Sequence, residues 1–586
     1  MKHKFKYLSL YLFFSASCLA QTITIVPAQK AQTIKGWGVS LSWWANIAGG
    51  MPQADIDYMT NLAVNDLKYT IFRYNIGGGQ NPLYSDQIRK DGGLMPGFRS
   101  PQTNNNGWGT ADLSKDARQI KVLDKIASYG IPITTEVFCT SPPYWMTKSK
   151  SSSGSIDGSE NIDPNFIDDY ADYIATVTSR LSNRNPKWNI RSIEPFNEPS
   201  SNWWKKNGNQ EGCFISPGTQ AQILWRLWQS QATYAIRDIG LTAPDCNSIS
   251  ETLNNSIAIK KNNPNEFNGI SKISTHSYSG TAAEKVNLGN FAHNNGKELW
   301  QSESGPLNWT PADGVSWWQR HYMMASRLIE DVRNLKSTVW CDWQFMSKDE
   351  GWGMVQQTNW NENIPYQKPV LLKTKGFFCR KNVTNFIKAG YKIIASTDPN
   401  SLAAMAPNEL DVVVVVVNNT GAYKSSSISL SNFKSIVSFD TYRTSGGYGS
   451  LENCSLKSKS LLGEKGILNG SNLSFKSPPF SVTTFVVKTT GAINSNRMTD
   501  DSAVANNTEF FVHPNPFTAT TTITVDKALD NALIQIFDLT GNIVKTIPNV
   551  SGTNVLIERG SLTNGTYILR IASGDEVVLN KKIIIQ

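Results

Sequence analysis

Several features that mark common protein classes are missing from this sequence. Beyond residue 20, no stretch has the ~18 consecutive apolar residues of a membrane-spanning helix, so the mature chain is expected to be soluble. The formal net charge is only +9 over 586 residues and no basic block occurs, which argues against nucleic acid as a partner. With 40% apolar and 18% charged residues, the chain is too apolar to be disordered.

The first twenty residues have the pattern of a secretory signal peptide. They read MKHKFKYLSLYLFFSASCLA, with a basic start, a short apolar run and small residues before Gln21. The apolar run, Tyr7 to Phe14, is too short to span a bilayer. We therefore predict cleavage after Ala20 and export of the remaining chain.

Residues 21–378 alternate β-like runs with amphipathic helical stretches, which predicts a (β/α)₈ barrel. The alternative is an open doubly wound sheet, but the glycine cluster Gly77–Gly79 lacks the GxGxxG form typical of that fold. The eight predicted strands are Ile34–Ser40, Lys68–Asn75, Ile131–Phe138, Ile190–Asn197, Cys246–Glu251, Lys272–His276, Glu298–Glu303 and Thr338–Trp343.

The remainder of the chain is predicted to be all-β. Residues 379–490 resemble a small β-sandwich, expected to support the barrel, and Thr22–Val26 is a candidate to join it as a first strand. Residues 491–507 are polar and unpatterned, which predicts a linker. Residues 508–586 are predicted to form a separate all-β domain.

Two glutamates have the positions expected of a catalytic pair. Glu198 ends predicted strand four in IEPFNEP, and Glu303 ends predicted strand seven in ELWQSES. In a (β/α)₈ barrel both lie on the carboxyl-end face, where active sites occur. Glycosidic cleavage needs two carboxyl groups flanking the bond, and a separation of about 5–5.5 Å predicts retention of configuration. A metal or cofactor is not needed for this chemistry.

The motifs WGVSLSWW, SPPYWM, FNEP and LWQSE, in this order, resemble glycoside hydrolase family 30 of clan A over residues 22–490. The resemblance implies that Glu198 is the acid/base and Glu303 the nucleophile of a retaining double displacement. It also implies that Asn197 binds the sugar 2-OH, that His276 and Tyr278 contact the catalytic pair, and that Trp343 forms the floor of the sugar site.

Further candidates for substrate binding come from the loops and strand ends of the same face. Arg73 ends predicted strand two, where its charge would keep a nearby nucleophile ionised. The chain has 18 tryptophans, and sugar rings stack on such flat apolar surfaces. Those predicted on this face are Trp43, Trp44, Trp145 and Trp203, with Trp204 beside the last.

The substrate class follows from resemblance alone. GWGVSLSWWANIAGG together with FNEPSSNWW resembles the endo-β-1,6-galactanase subgroup, which implies arabinogalactan side chains as substrate. Endo-β-1,6-glucanase and glucuronoxylanase are the alternatives within the family. A catalytically silent glycan-binding protein is the alternative from another class. The enzyme is expected to be a monomer.

Six cysteines follow the leader, without CxxC spacing, so a zinc site is not predicted. Export permits disulfides. We consider one pairing, Cys139 with Cys213, because they follow neighbouring predicted strands. The others are Cys246, Cys341, Cys379 and Cys454.

Residues 508–586 resemble the C-terminal sorting domain of type IX secretion. The likeness lies in PNPF, in FDLTGN and in NGTYILRI before a terminal strand. It implies a route through the periplasm and across the outer membrane with the type IX machinery as partner, followed by release or surface attachment.

Overall fold

Eight parallel strands form a closed barrel, as the sequence predicts. In the computed structural model they follow one another around the barrel, and the first pairs with the last. They are β2 (Gly36–Ser40), β3 (Ile71–Ile76), β4 (Thr134–Cys139), β5 (Ile190–Glu194), β6 (Gly240–Ser248), β7 (Ile270–Ser279), β8 (Glu298–Ser304) and β9 (Val339–Asp342).

The structure describes residues 21–83, 88–101, 111–306, 314–457, 465–493, 510–538, 543–573 and 576–586. The predicted signal peptide and residues 494–507 of the predicted linker lie outside them. The chain divides into two compact units, residues 1–495 and 496–586. Within the described residues, we find no helix with both the length and the apolar character to cross a bilayer.

Helices surround the barrel, and several of them are amphipathic with a buried apolar face. Their starts carry sequence signals: Ser216 caps α5 with Pro217 in the first turn, and Thr281 forms a capping box with Glu284 at the start of α8. The helices are α1 (Trp44–Ala48), α2 (Gln53–Asn61), α3 (Ala117–Ser128), α4 (Ile167–Arg184), α5 (Pro217–Thr233), α6 (Ile249–Asn262), α7 (Pro264–Gly269), α8 (Ala282–Asn294), α9 (Trp317–Asn334) and α10 (Lys375–Thr384).

The predicted fifth strand, Cys246–Glu251, is wrong in its bounds. The strand, β6, begins at Gly240, and Glu251 lies in the first turn of α6. Ser248 ends the strand because its side chain accepts a hydrogen bond from the Glu251 N–H, which caps the helix. Pro244 and the left-handed Asp245 interrupt the β pattern that sequence analysis depends on.

A ten-stranded sheet folds over a second core beside the barrel. β1 (Gln21–Thr33) joins its two halves, because Ile25–Thr33 pairs with β13 and Gln21–Thr24 pairs with β16. The other strands are β13 (Lys392–Ser396), β14 (Ser401–Met405), β15 (Asp411–Asn418), β16 (Lys424–Ser429), β17 (Ile436–Ser445), β18 (Ser455–Leu456), β19 (Ile467–Asn469), β20 (Asn472–Ser477) and β21 (Ser481–Thr489).

Helix α10 crosses residue 378, where the sequence places the end of the barrel. Its Arg380 forms a buried bidentate pair with Asp342 of β9, at 2.8 and 2.6 Å. Two residues on, Asn382 Nδ2 donates to Thr484 Oγ1 of β21 at 3.0 Å. The same helix thus packs on both the barrel and the sheet. A three-stranded sheet precedes it, formed by β10 (Met346–Ser347), β11 (Val355–Gln357) and β12 (Leu371–Lys373).

The second unit is a small all-β fold with its own apolar core. In its five-stranded sheet β23 pairs with β22, β24 and β25, and β25 also pairs with β26. Ile534, Ile536, Leu569 and Ile571 are fully buried between these strands. The strands are β22 (Phe510–His513), β23 (Thr520–Phe537), β24 (Ile543–Glu558), β25 (Gly565–Ser573) and β26 (Glu576–Ile585).

The position of β1 predicts a large effect of a single truncation. Ile25 is fully buried in the core of the ten-stranded sheet, so Ile25→Ala should cost about 2–5 kcal/mol of unfolding free energy. Calorimetry should show the unfolding midpoint lowered by several degrees. Thr22→Ala, at an exposed position of the same strand, is the control and should leave the midpoint nearly unchanged. Equal midpoints for both variants would contradict the role given to β1.

Candidate active site

The two predicted catalytic glutamates face one cleft at the carboxyl end of the barrel. Glu303 lies on β8, and Glu198 lies four residues beyond β5. Both line a cavity of about 650 Å³. Glu198 has a φ of +51°, a left-handed conformation that is costly for a side chain other than glycine, and its N–H donates to the Asp245 carbonyl at 2.8 Å. Strained backbone of this kind clusters at functional sites.

Buried His276 lies between three carboxylates. Its Nδ1 is 3.2 Å from Glu198 Oε1 and 3.6 Å from Glu303 Oε1, and its Nε2 is 3.3 Å from Asp245 Oδ2. Burial lowers the pKa of His276, but Glu303 and Asp245 outweigh it and hold that pKa well above its usual value. This shift favours the protonated ring, whose Nδ1 is within hydrogen-bond distance of Glu198, whereas Nε2 has no hydrogen-bond partner within the described residues.

Carboxyl oxygens of Glu198 and Glu303 and a ring nitrogen of His276 lie within 4.8 Å of one another. Three such atoms could also hold a metal ion. Within the described residues, no other group of three His, Cys, Asp or Glu side chains has this spacing. The raised pKa of His276 favours the protonated ring, which has no lone pair to offer a metal.

Arg73 on β3 is completely buried and contacts the carboxylates of three other strands. Its guanidinium is 3.1 Å from Glu136, 2.5 Å from Asp245 and 3.3 Å from Glu303. Burial raises the pKa of Glu303, while His276 and Arg73 lower it, and the balance leaves it above its usual value. For Asp245 burial also opposes ionisation, but Arg73 and His276 outweigh it and hold the pKa far below its usual range.

Three more groups fix the catalytic pair. Tyr278 donates its hydroxyl proton to Glu303 Oε1 at 3.0 Å. Asn247 Nδ2 donates to Glu198 Oε1 at 2.6 Å, and Trp204 Nε1 donates to the Glu198 carbonyl at 3.0 Å. Sequence analysis gave Asn247 and Asp245 no role, because the misplaced fifth strand hid that they end β6 beside the catalytic pair.

The cleft walls contain several of the predicted sugar-binding residues. Trp43, Trp203 and Trp343 all line it, and the rings of Trp43 and Trp343 meet edge to face with centroids 4.9 Å apart. Trp203 is 49% exposed, so its ring is available for stacking. Asn197 also lines the cleft, and its buried Oδ1 has no hydrogen-bond partner within the described residues.

Two predicted sugar contacts, Trp44 and Trp145, do not line the cleft. Trp44 is fully buried, packs on Phe345 at 4.9 Å and donates to the Ser40 carbonyl at 2.8 Å. Trp145 is buried against Phe166. These two predictions are wrong, because a pair of adjacent aromatics does not reveal which ring turns into the core.

The disulfide hypothesis is also wrong. Cys139 and Cys213 are free thiols buried in the apolar core of the barrel unit. Both lie near Tyr170, whose pKa rises well above its usual value, first through burial and then through these neighbours. They act as small apolar side chains here.

Glu211 is a cleft residue that sequence analysis missed. Its buried carboxyl group accepts hydrogen bonds from the N–H groups of Gly78 and Gly79, both at 3.1 Å, and from the Thr140 hydroxyl at 2.6 Å. It thereby joins the loops that follow β3, β4 and β5. Burial raises the pKa of Glu211 to about 8, against the opposing effect of these donors. The glycine pair was the available signal, since it offers backbone N–H groups to an acidic side chain.

A closed barrel with two carboxyl groups facing across a cleft is the architecture of a glycoside hydrolase. The family model described as O-glycosyl hydrolase family 30 matches residues 20–310. An endo-beta-1,6-galactanase of Hypocrea rufa is 30% identical over 431 residues, covering 70% of this chain and 84% of that protein. The chain therefore belongs to glycoside hydrolase family 30.

Other comparisons agree on the fold. A conserved exported protein from Bacteroides fragilis has a TM-score of 0.63 at 18% identity, covering 80% of this chain and 100% of that one. The catalytic domain of a family 30 xylanase C from Talaromyces cellulolyticus has a TM-score of 0.57 at 17% identity, with the same coverage. An exo-beta-1,6-galactobiohydrolase of Bifidobacterium longum is 24% identical over 240 residues, covering 32% of this chain but only 16% of that protein.

Residues 511–586 match the model of a secretion system C-terminal sorting domain. The match confirms the type IX sorting tail that the sequence motifs indicate. The enzyme is exported by this route to the cell surface or the extracellular space.

The raised pKa of Glu211 predicts a pH-dependent stability. A carboxyl group whose pKa is higher in the folded chain contributes stability below its unfolded value of about 4.3, and that contribution is lost as the pH rises through about 8. Glu211→Gln keeps an acceptor for the glycine N–H groups but does not titrate. Its thermal midpoint should therefore fall less than that of the wild type between about pH 5 and 8.

The matched control is Glu362→Gln, which changes an exposed glutamate. It should show the wild-type dependence of the midpoint on pH. If Glu211→Gln follows the same curve, burial does not perturb Glu211 in the manner described.

Proposed function

We propose that this enzyme hydrolyses β-1,6-galactan within the chain, by a double displacement that retains the anomeric configuration. The observation that carries the mechanism is the approach of Glu198 and Glu303, whose carboxyl oxygens lie within 4.8 Å across the cleft. Retaining glycosidases hold their carboxyl groups about 5–5.5 Å apart, whereas inverting enzymes leave about 6.5–9.5 Å for a water molecule. The spacing here suits direct attack on the sugar.

Glu303 is the nucleophile in this proposal because the cations and donors of the site converge on it. Arg73, His276 and Tyr278 all reach its carboxylate, at 3.3, 3.6 and 3.0 Å. They hold it in one orientation and stabilise its charged form. Attack on the anomeric carbon forms a glycosyl ester and breaks the bond to the leaving oxygen.

Glu198 is the acid/base. It gives its proton to the leaving oxygen, and Asn247 fixes the orientation of its carboxyl group through a 2.6 Å hydrogen bond. Formation of the ester removes the negative charge of Glu303, so Glu198 can then take a proton from water that attacks the ester. Asn197, the residue before Glu198, has an Oδ1 open to accept from the sugar 2-OH.

The substrate proposal rests on the 30% identity to the Hypocrea rufa endo-beta-1,6-galactanase. The cleft supports internal cleavage, because Trp43, Trp203 and Trp343 come from three different loops or strand ends around it. Such separated stacking surfaces suit several sugar units of one chain.

The direct test of the substrate is a product profile on β-1,6-galactan from arabinofuranosidase-treated arabinogalactan. Early release of a mixture of short galacto-oligosaccharides is expected. A single product from the first minutes would indicate exo action. Activity on β-1,6-glucan or glucuronoxylan, with none on galactan, would refute the substrate and leave the family unaffected.

Azide rescue tests the two catalytic roles separately. Glu198→Gln should lower kcat on natural galactan by about 10²–10⁴-fold. With an aryl β-galactoside carrying a good leaving group, azide should restore its turnover and give the β-galactosyl azide. Glu303→Gln should reduce turnover to background, and the smaller Glu303→Gly, which leaves room for azide, should give the α-galactosyl azide. If the Glu198 variant gave the α-azide and the Glu303 variant the β-azide, the two roles would be reversed. Normal turnover by Glu303→Gln would exclude Glu303 as the nucleophile.

A further inference from the structure

Helix α5 exposes two tryptophans that its packing does not require. Its buried face consists of Ala221, Ile223, Leu224 and Leu227 with two glutamines, whereas Trp225 and Trp228 are 43% and 41% exposed. Burying an aromatic side chain of this size is strongly favourable, so leaving two together in water is costly. Adjacent exposed aromatics on a soluble protein mark an interaction site more often than a lone exposed residue does.

The two rings stack on each other and together form one platform. They are nearly parallel, at 15°, with centroids 5.4 Å apart. The guanidinium of Arg237 lies 4.0 Å from the centre of the Trp228 ring. Trp228 is therefore contacted by both Arg237 and Trp225, which holds the platform rigid and leaves Trp225 as its terminal ring.

Trp225 lines a shallow cavity of about 530 Å³. Apart from this ring, the lining is largely polar and comes from the start of α4 and the middle of α5. It includes Asn165, Asp168, Asp169, Gln222 and Arg226. A flat aromatic surface beside carboxylate and amide groups is complementary to a pyranose, which has an apolar C–H face and hydroxyls around its rim.

The charge of the cavity selects among glycans. Asp168 and Asp169 outnumber the single Arg226, which is itself paired with Asp168 at 2.8 Å. Carboxylates accept hydrogen bonds from the hydroxyls of a neutral sugar and repel a uronate. The site therefore suits a neutral polymer such as galactan and disfavours an acidic one such as glucuronoxylan.

The platform lies beside the loops that build the cleft. The loop before α4 carries Thr140, and the loop before α5 carries Glu198, Trp203 and Glu211, all of which line the cleft. The two loops are joined where Ser216 N–H donates to Glu160 at 2.8 Å. In a (β/α)₈ barrel the helix starts lie at the same end as the active site. A long polymer bound in the cleft can therefore extend toward α5.

We infer that Trp225 and Trp228, with the polar cavity beside them, form a second binding site for a neutral polysaccharide outside the catalytic cleft. It would hold a remote part of the polymer while another part occupies the cleft, which raises the effective concentration of cleavable bonds. That the bound polymer is galactan rests on the proposed function. That the site binds a sugar does not depend on it.

Kinetics on long and short substrates test the inference. Trp225→Ala should raise KM for the polymer by about tenfold, equivalent to about 1.4 kcal/mol of lost binding, without changing kcat. On a galacto-oligosaccharide just long enough to fill the cleft, both constants should stay at wild-type values. Trp225→Tyr, which keeps a flat ring, should restore most of the polymer affinity.

The matched control is Tyr58→Ala, which removes an exposed aromatic of α2 that is 46% exposed. It should leave both substrates unaffected. Polymer kinetics unchanged by Trp225→Ala, or an equal loss on polymer and oligosaccharide, would overturn the inference, the second result indicating a structural role.

Affinity electrophoresis of the Glu303→Gln chain separates this inference from the proposed function. The Glu303→Gln chain is run in gels that contain β-1,6-galactan, β-1,6-glucan or glucuronoxylan. A polymer that binds the platform should retard this chain, and adding the substitution Trp225→Ala to the chain should reduce the retardation. Retardation by a neutral polymer other than galactan would support the site while refuting the galactan substrate. Equal retardation of both chains in all three gels would refute the site.

Discussion

The arrangement of the active site depends on the buried guanidinium of Arg73. This single group contacts carboxylates from β4, β6 and β8, of which the first two are fully buried and the third, Glu303, lies at the cleft wall. Taking charges out of water is expensive unless each has a partner, so the barrel interior must be close to neutral. The interior ion pairs bring three basic side chains, Arg73, Lys272 and His276, against the carboxyl groups of Glu136, Asp245, Glu303 and Glu198.

The charges around each buried carboxyl group give chemically similar side chains different pKa values. Burial, together with Asp245 and Glu136, raises the pKa of Glu194 well above its usual value, which favours its neutral form. His276 and Arg73 oppose the effect of burial on the pKa of Glu303 and so favour its charged form. Glu303 differs from Glu198 in its contact with Arg73, whereas His276 lies near both.

The sequence predicts the barrel and the catalytic pair because both depend on local patterns. Alternating strands and helices define the fold, and Glu303 near the end of β8 and Glu198 just beyond β5 follow strands that are easily recognised. β6 was misplaced because Pro244 and a left-handed Asp245 break its pattern. Sequence analysis does not find contacts between distant loops, such as that of Glu211 with Gly78, because no regular spacing of residues indicates them. Neighbouring tryptophans were indistinguishable, although Trp43 lines the cleft and Trp44 lies in the core.

The division of the site between strands and loops explains why the fold defines the chemistry more closely than the sugar. Glu303, Arg73 and His276 lie on barrel strands, whose positions follow from closure of the sheet. Trp203 and Glu211 lie on a loop whose path depends on polar contacts such as the Glu211 carboxyl with Thr140. Relatives with 17–18% identity share the barrel, but such loops vary independently of it. The side chains that select the sugar must therefore be sought on the loops of the cleft.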